Sequence, residues 1–200
     1  MASLQEVKAA LKEPIADLAV LQDHLSTIIN HIHSSSSSSS GTSTFEKGIA
    51  SVQGLLLENV LPAWSAIVEE GKLKALLQEC FAPLAEGTER RDPTRKVLAT
   101  AYSAYQTLSS SLSSPTTSPH LYPIIIHLTS TLVDRYSLSD LWNYAFDPPR
   151  TSSIGESFIW EQAVKLVVAL PTRVMNAYGR AREAGVQGIS VEEVDRLNGR

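Results

Sequence analysis

The chain predicts an all-α protein of stacked helical hairpins, solenoid-like in architecture, and three observations carry that reading. Apolar residues recur at steps of three and four along most of the sequence. No pair of alternating segments is available to build a sheet. Helix-opening and helix-breaking residues also punctuate the periodic stretches at short intervals, as in successive helical pairs. At 200 residues, with 43% apolar and 19% charged content, the chain has ordinary globular composition and length enough for one substantial core.

The first stripe runs through Leu4, Val7, Leu11, Ile15, Leu18, Leu21 or Leu25, Ile28 and Ile32. Pro14 lacks a backbone donor, so a kink or a fresh helix start is expected there. Residues 1–33 form an N-terminal helical segment on this reading. The serine run 34–40 and the small residues after it have no side chain worth burying, so 34–47 reads as a flexible linker. Residues 48–200 then form a helical-repeat-like domain. Its helical spacing resumes from Phe45 through Ile49, Val52, Leu55, Leu56 and Val60.

Pro62 is expected to start the next helix, with Ala63, Trp64, Ile67 and Val68 on its apolar face. Leu73, Leu76, Leu77, Cys80 and Phe81 make another helix after Gly71, and Asp92-Pro93 opens the one bearing Val97, Leu98, Ala101, Tyr105 and Leu108. A serine- and proline-rich loop is expected at 109–119. Residues 121–133 contain Ile124-Ile125-Ile126 and could suit a strand, but a lone strand has nothing to pair with, so a buried helix is favoured. Leu138, Leu141, Trp142 and Tyr144 suggest one more short helix, stopped by Pro148-Pro149.

Residues 152–178 are the best-patterned stretch. Ser153-Ile154-Gly155-Glu156 fits a capping box. Phe158, Ile159, Ala163, Leu166, Val167 and Leu170 follow at helical spacing, and Pro171 is expected to break the helix. A second helix would then turn Val174, Met175 and Tyr178 to the core, with Arg173 and Asn176 near its start. Those two residues read as caps around the break, or else as contacts to a partner or a neighbouring repeat. Near the C-terminus, Ser190-x-x-Glu193 opens a helix with Val191, Val194 and Leu197 on one face.

Several chemistries are disfavoured. A net charge of −4, with 17 basic and 21 acidic residues, lacks the concentrated basic face that nucleic acid requires. The basic residues Arg173, Arg180 and Arg182 read as a solvated helix face. His31-x-His33 has no third metal ligand at fixed spacing. No G-x-S-x-G elbow or phosphate-cradling glycine loop occurs, so no catalytic, cofactor-binding or metal-binding residue is assigned and no enzyme activity is expected. The single cysteine, Cys80, lies on an apolar face and reads as an inert buried thiol, consistent with a reducing compartment. Trp64, Trp142 and Trp160 each lie in an apolar stripe and read as core anchors. The longest apolar run, 163–170, contains Lys165 and falls short of the ~20 residues that span a bilayer, and the N-terminus has no secretory pattern.

Trp160, Leu166 and Leu170-Pro171-x-Arg173-Val174-x-Asn176 together resemble the helical word near the end of the N-terminal arm of telomere length regulation proteins. That resemblance implies an α-solenoid scaffold of the TTT complex, acting with its other subunits and a heat-shock chaperone in the maturation of phosphatidylinositol-3-kinase-related kinases. The single cysteine fits a cytoplasmic location, with the nucleus as a second compartment, and the charge and the short apolar runs lead to no expected direct contact with nucleic acid or membrane. Trp160, Arg173 and Asn176 become the candidate partner or inter-repeat contacts. Family members are much longer, so the chain is expected to correspond to an N-terminal fragment or truncated form. The alternative is an unrelated helical regulatory or trafficking adaptor.

Overall fold

The computed structural model describes residues 3–34, 42–68, 71–84, 95–137, 140 and 153–199, without the side chains of 42–44, 46, 66–68, 95 and 153–163. The protein is all-α, and no strand occurs among the described residues. Its elements are α1 (Leu4–Ala10), α2 (Leu18–His33), α3 (Thr42–Leu55), a π-helical turn (Leu56–Val60), α4 (Leu61–Val68), α5 (Lys72–Phe81), α6 (Arg95–Ser113), a 3-10 turn (Pro119–Leu121), α7 (Tyr122–Arg135), α8 (Ser153–Glu183) and α9 (Val191–Leu197). The chain divides into two compact units, Met1–Thr107 and Leu108–Arg200, so the boundary falls inside α6.

In the first unit, α1 opens with a reciprocal cap. The Glu6 N–H donates to Ser3 Oγ at 3.3 Å, and the Ser3 N–H donates to Glu6 Oε2 at 2.6 Å. The Ser3 N–H, and then the Ser3 hydroxyl, bond the charged form and hold the Glu6 carboxyl below its ordinary range. Pro14 sits between α1 and α2, in an extended stretch before Asp17, whose Oδ1 accepts the Ala19 N–H at 2.8 Å to start α2. The long apolar stripe is therefore two helices. Leu21, Leu25, Ile28 and Ile32 of α2 are buried, and α2 packs mainly against α5, whose Leu73, Leu77 and Phe81 are also buried. Helices α1 and α3 also touch, and Gly48 permits their close approach: a Cβ added there would lie 3.1 Å from Leu4 Cδ2.

Helices α1 and α2 thus pack with α3 and α5 beyond the serine tract, within the first of the two units. Helix α3 already begins at Thr42, so the linker expected over 34–47 is shorter on its C-terminal side; residues 35–41 lie outside the described ones. Pro62 does not start a separate helix. The π turn and α4 continue α3 directly, with the Leu61 N–H reaching the Leu56 carbonyl. A proline inside an α-helix clashes with the carbonyl four residues back, here Glu58, and the wider π turn containing Glu58 relieves that clash. The buried face is Leu56, Leu57, Val60 and Leu61, whereas Ala63 is exposed and Trp64 only half-buried, contrary to the expected core anchor.

Gln53 joins three elements of this unit. Its Nε2 donates to the carbonyls of Cys80 at 3.1 Å and Thr100 at 3.3 Å, and the residue is 1% exposed. Those carbonyls would otherwise be buried and incompletely satisfied, so one amide fastens α3 to the end of α5 and to α6. The opening expected at Asp92-Pro93 lies outside the described residues, as does the short helix expected around Trp142.

The serines after Leu108 are helical up to Ser113, not a loop from 109. Leu108 and Leu112 are fully buried four residues apart, which anchors this end of α6. The hydroxyls do not compete with the helix because they bond backwards along it: Ser113 Oγ donates to the Ser109 carbonyl at 3.2 Å. In the second unit, residues 122–135 are helical, as favoured over a strand, with Tyr122, Ile124, Ile125, Ile126, Leu128 and Leu132 all buried. Helix α7 is covered on several sides, among them by α8 and α9.

Helix α8 is continuous for 31 residues with Pro171 inside it, which corrects the expected helix–proline–helix break. Leu170, Val174, Ala177 and Ala181 are all buried and form one stripe passing straight through the proline. Packing along that stripe outweighs the lost backbone bond and the local preference of Leu170. Met175 is 48% exposed and does not face the core. Beyond Glu183 the chain turns at Gly185, whose φ of 71° suits glycine, and the Val186 N–H closes back on the Ala181 carbonyl at 2.9 Å. Helix α9 then starts on Ser190, whose Oγ accepts the Glu193 N–H at 3.3 Å, and it buries Val194 and Leu197 but leaves Val191 57% exposed.

Candidate functional site

Of the three candidate contacts, Trp160 lies on α8 with its side chain outside the described ones. Arg173 does not cap a helix break. Its Nη1 donates to Ser109 Oγ at 2.6 Å, joining the middle of α8 to the end of α6. Asn176, one turn further on, is exposed at the edge of a shallow depression shared with Ser113, Arg173 and Arg180. Arg173 therefore acts between helices of its own unit, and Asn176 is the more accessible of the two.

Arg180 does structural work that the sequence does not announce. It reads there as part of a solvated basic face, yet its guanidinium donates to the carbonyl of Ser114 at 3.0 Å and to that of Leu112. Both lie at the C-terminal end of α6, where helical carbonyls lack partners in their own helix and where a positive charge suits the helix dipole. The same guanidinium stands 5.0 Å from the centroid of the Tyr122 ring. Burial raises the Tyr122 phenol above its ordinary range, with Arg180 opposing the shift. Arg182 is exposed and lies over the Tyr178 ring at 5.8 Å. The only advance signal was spacing: Arg173 and Arg180 lie two turns apart and so share a face of α8.

Helix α9 is tied to α7 by two polar contacts. Glu193 Oε1 meets His127 Nδ1 at 2.7 Å, with both side chains largely covered. Arg196 Nη1 lies 2.5 Å from Asp134 Oδ2 in a pair about half exposed on each side.

A cleft in the first unit was not foreseen. It opens between the α1–α2 connection and the π turn, with a volume of about 370 Å³, and is lined by Leu11 to Ile15, Glu58 to Val60, Ala63 and Trp64. Asn59 Nδ2 donates to the Leu11 carbonyl at 3.0 Å and ties the two walls together. The half-buried Trp64 stands in this cleft.

Among the described residues, Cys80, His31 and His33 lie in no convergent arrangement of reactive groups. Cys80 is 1% exposed, its Sγ lies 3.8 Å from the Leu25 carbonyl, and burial pushes its thiol far above the ordinary range. A thiol so held is a weak nucleophile. His31 and His33 sit in the last turn of α2, and among the described residues no group of three or more His, Cys, Asp or Glu could hold a metal ion. No described helix is long and apolar enough to cross a membrane. No protein-family model, curated protein or solved structure matches the chain.

Proposed function

We propose that this protein is a non-enzymatic α-helical scaffold for protein–protein interaction, with its helical pairs stacked in solenoid fashion. We place it with the N-terminal arm of telomere length regulation proteins. In that role it would support the maturation of phosphatidylinositol-3-kinase-related kinases, together with the other TTT subunits and a chaperone, in the cytoplasm or nucleus. The observation that carries the proposal is α8. The word running from Trp160 to Asn176 lies along one 31-residue helix, which lends a buried stripe and two arginines to its neighbours and leaves Val168, Met175 and Asn176 exposed. A helix used in this way organises packing and presents surface, which suits a scaffold.

The test is affinity purification of the tagged full chain from eukaryotic cells, with quantitative mass spectrometry. Enrichment of TTT subunits or of a phosphatidylinositol-3-kinase-related kinase over a tag-only control is expected. Recovery of neither, from a chain shown to be folded by circular dichroism, would refute the assignment.

A further inference from the structure

We propose that the cleft between the α1–α2 connection and the π turn is a docking site for a partner protein segment that inserts an arginine side chain. The proposal deepens the scaffold reading and rests on it only in taking the ligand to be a protein. Leu11 and Val60, at 0% and 3% exposure, give the cleft an apolar floor, and Ile15 and Trp64 are half-buried walls. Trp64 follows directly on the buried Leu57, Val60 and Leu61 of the same helical run, yet it remains partly open to solvent. A tryptophan left accessible in an apolar recess is the residue most often found anchoring a partner, and its ring is the best side-chain platform for a cation.

The rim supplies the charge. Glu13 and Glu58 are exposed, and among the described residues neither side chain has a hydrogen bond or ion pair. Among the described residues, Lys12 is the one basic residue lining the cleft, against the two carboxylates of Glu13 and Glu58. An arginine meets every part of this surface. Its methylenes lie against Ile15, while its planar guanidinium stacks on the indole and bonds a carboxylate. An apolar side chain would strip water from both carboxylates and return nothing, and an acidic one would be repelled. The volume of about 370 Å³ suits one long side chain and its flanking backbone rather than a large cofactor. The Asn59–Leu11 bond holds the walls in place beforehand, so little ordering accompanies binding.

Titration of the isotope-labelled full chain with acetyl-Ala-Arg-Leu-amide, followed by amide NMR, tests the site. Shifts concentrated at residues 11–15 and 58–64 are expected. The citrulline peptide should bind about fivefold more weakly, the scale of one rim charge pair, and the glutamate peptide should not bind. Neutralising both rim carboxylates, with Glu13→Gln and Glu58→Gln together, should remove the preference for arginine over citrulline while leaving the citrulline peptide's affinity unchanged. Absence of shifts at these residues, equal binding of the arginine and citrulline peptides, or equal binding of free arginine amide would each overturn the proposal. These outcomes do not depend on whether TTT subunits co-purify, so the two proposals fail separately.

Discussion

Removing the Arg180 side chain should destabilise the second unit by about 2 kcal/mol. The guanidinium meets the Leu112 and Ser114 carbonyls and the Tyr122 ring. Hydrogen bonds to a charged group contribute about 1.5–3 kcal/mol each when buried. Arg180 is only half-buried, so water can reach the freed carbonyls and the pair is worth nearer 1 kcal/mol in total. Loss of the ring contact adds about 0.5–1 kcal/mol. In a chain of 200 residues that sum lowers the melting temperature by roughly 4–8 °C. Urea unfolding of Arg180→Ala, followed by circular dichroism, measures the change directly. Arg182→Ala is the control, because that neighbour is exposed and makes no such contacts with α6. Equal losses for the two variants would show that Arg180 does not cap α6.

Three other perturbations test separate parts of the fold. Gln53→Ala should cost about 1–3 kcal/mol in urea unfolding, since it removes a donor from the Cys80 and Thr100 carbonyls and leaves a void, offset in part because the Gln53 amide oxygen is buried without a partner. Pro171→Ala should stabilise the protein, with the helix-interior penalty of about 3 kcal/mol as the ceiling; a lower melting temperature would show that α8 depends on its proline. Cys80 should resist alkylation in the native protein and react once unfolded. Because its thiol stays protonated in the fold while the unfolded chain loses that proton above about pH 8.5, stability should decline as pH rises through that value, and Cys80→Ala should flatten the decline.

Periodicity made the apolar faces legible wherever burial was one-sided. The α2 positions Leu21, Leu25, Ile28 and Ile32 and the α5 positions Leu73, Leu77, Cys80 and Phe81 are buried as their spacing implies. Boundaries were legible only where local chemistry was unopposed, as at Ser190, and illegible where tertiary packing prevailed. Pro62 and Pro171 read as breaks but are carried within longer helical runs, by a π turn in one case and by a continuous buried stripe in the other. The serines from 109 to 113 read as a loop because serine favours turns, yet Leu108 and Leu112 hold them in a helix. The interhelical roles of Arg173, Arg180 and Gln53 join residues far apart in sequence, and no local pattern marks such a pair. The cleft at Trp64 was hidden for the same reason, since its walls come from the α1–α2 connection and the distant π turn and α4.

Helix α9 has 7 residues, well under the ~12–15 that an isolated helix needs to persist in water. Its helicity is therefore borrowed from α7 and α8, through Val194, Leu197 and the His127–Glu193 contact. The amide of Asn198, bonded to the Val194 carbonyl in the last turn, then exchanges with solvent whenever this end frays or the segment detaches. Its exchange rate is a direct thermometer of how firmly this end of the chain is held.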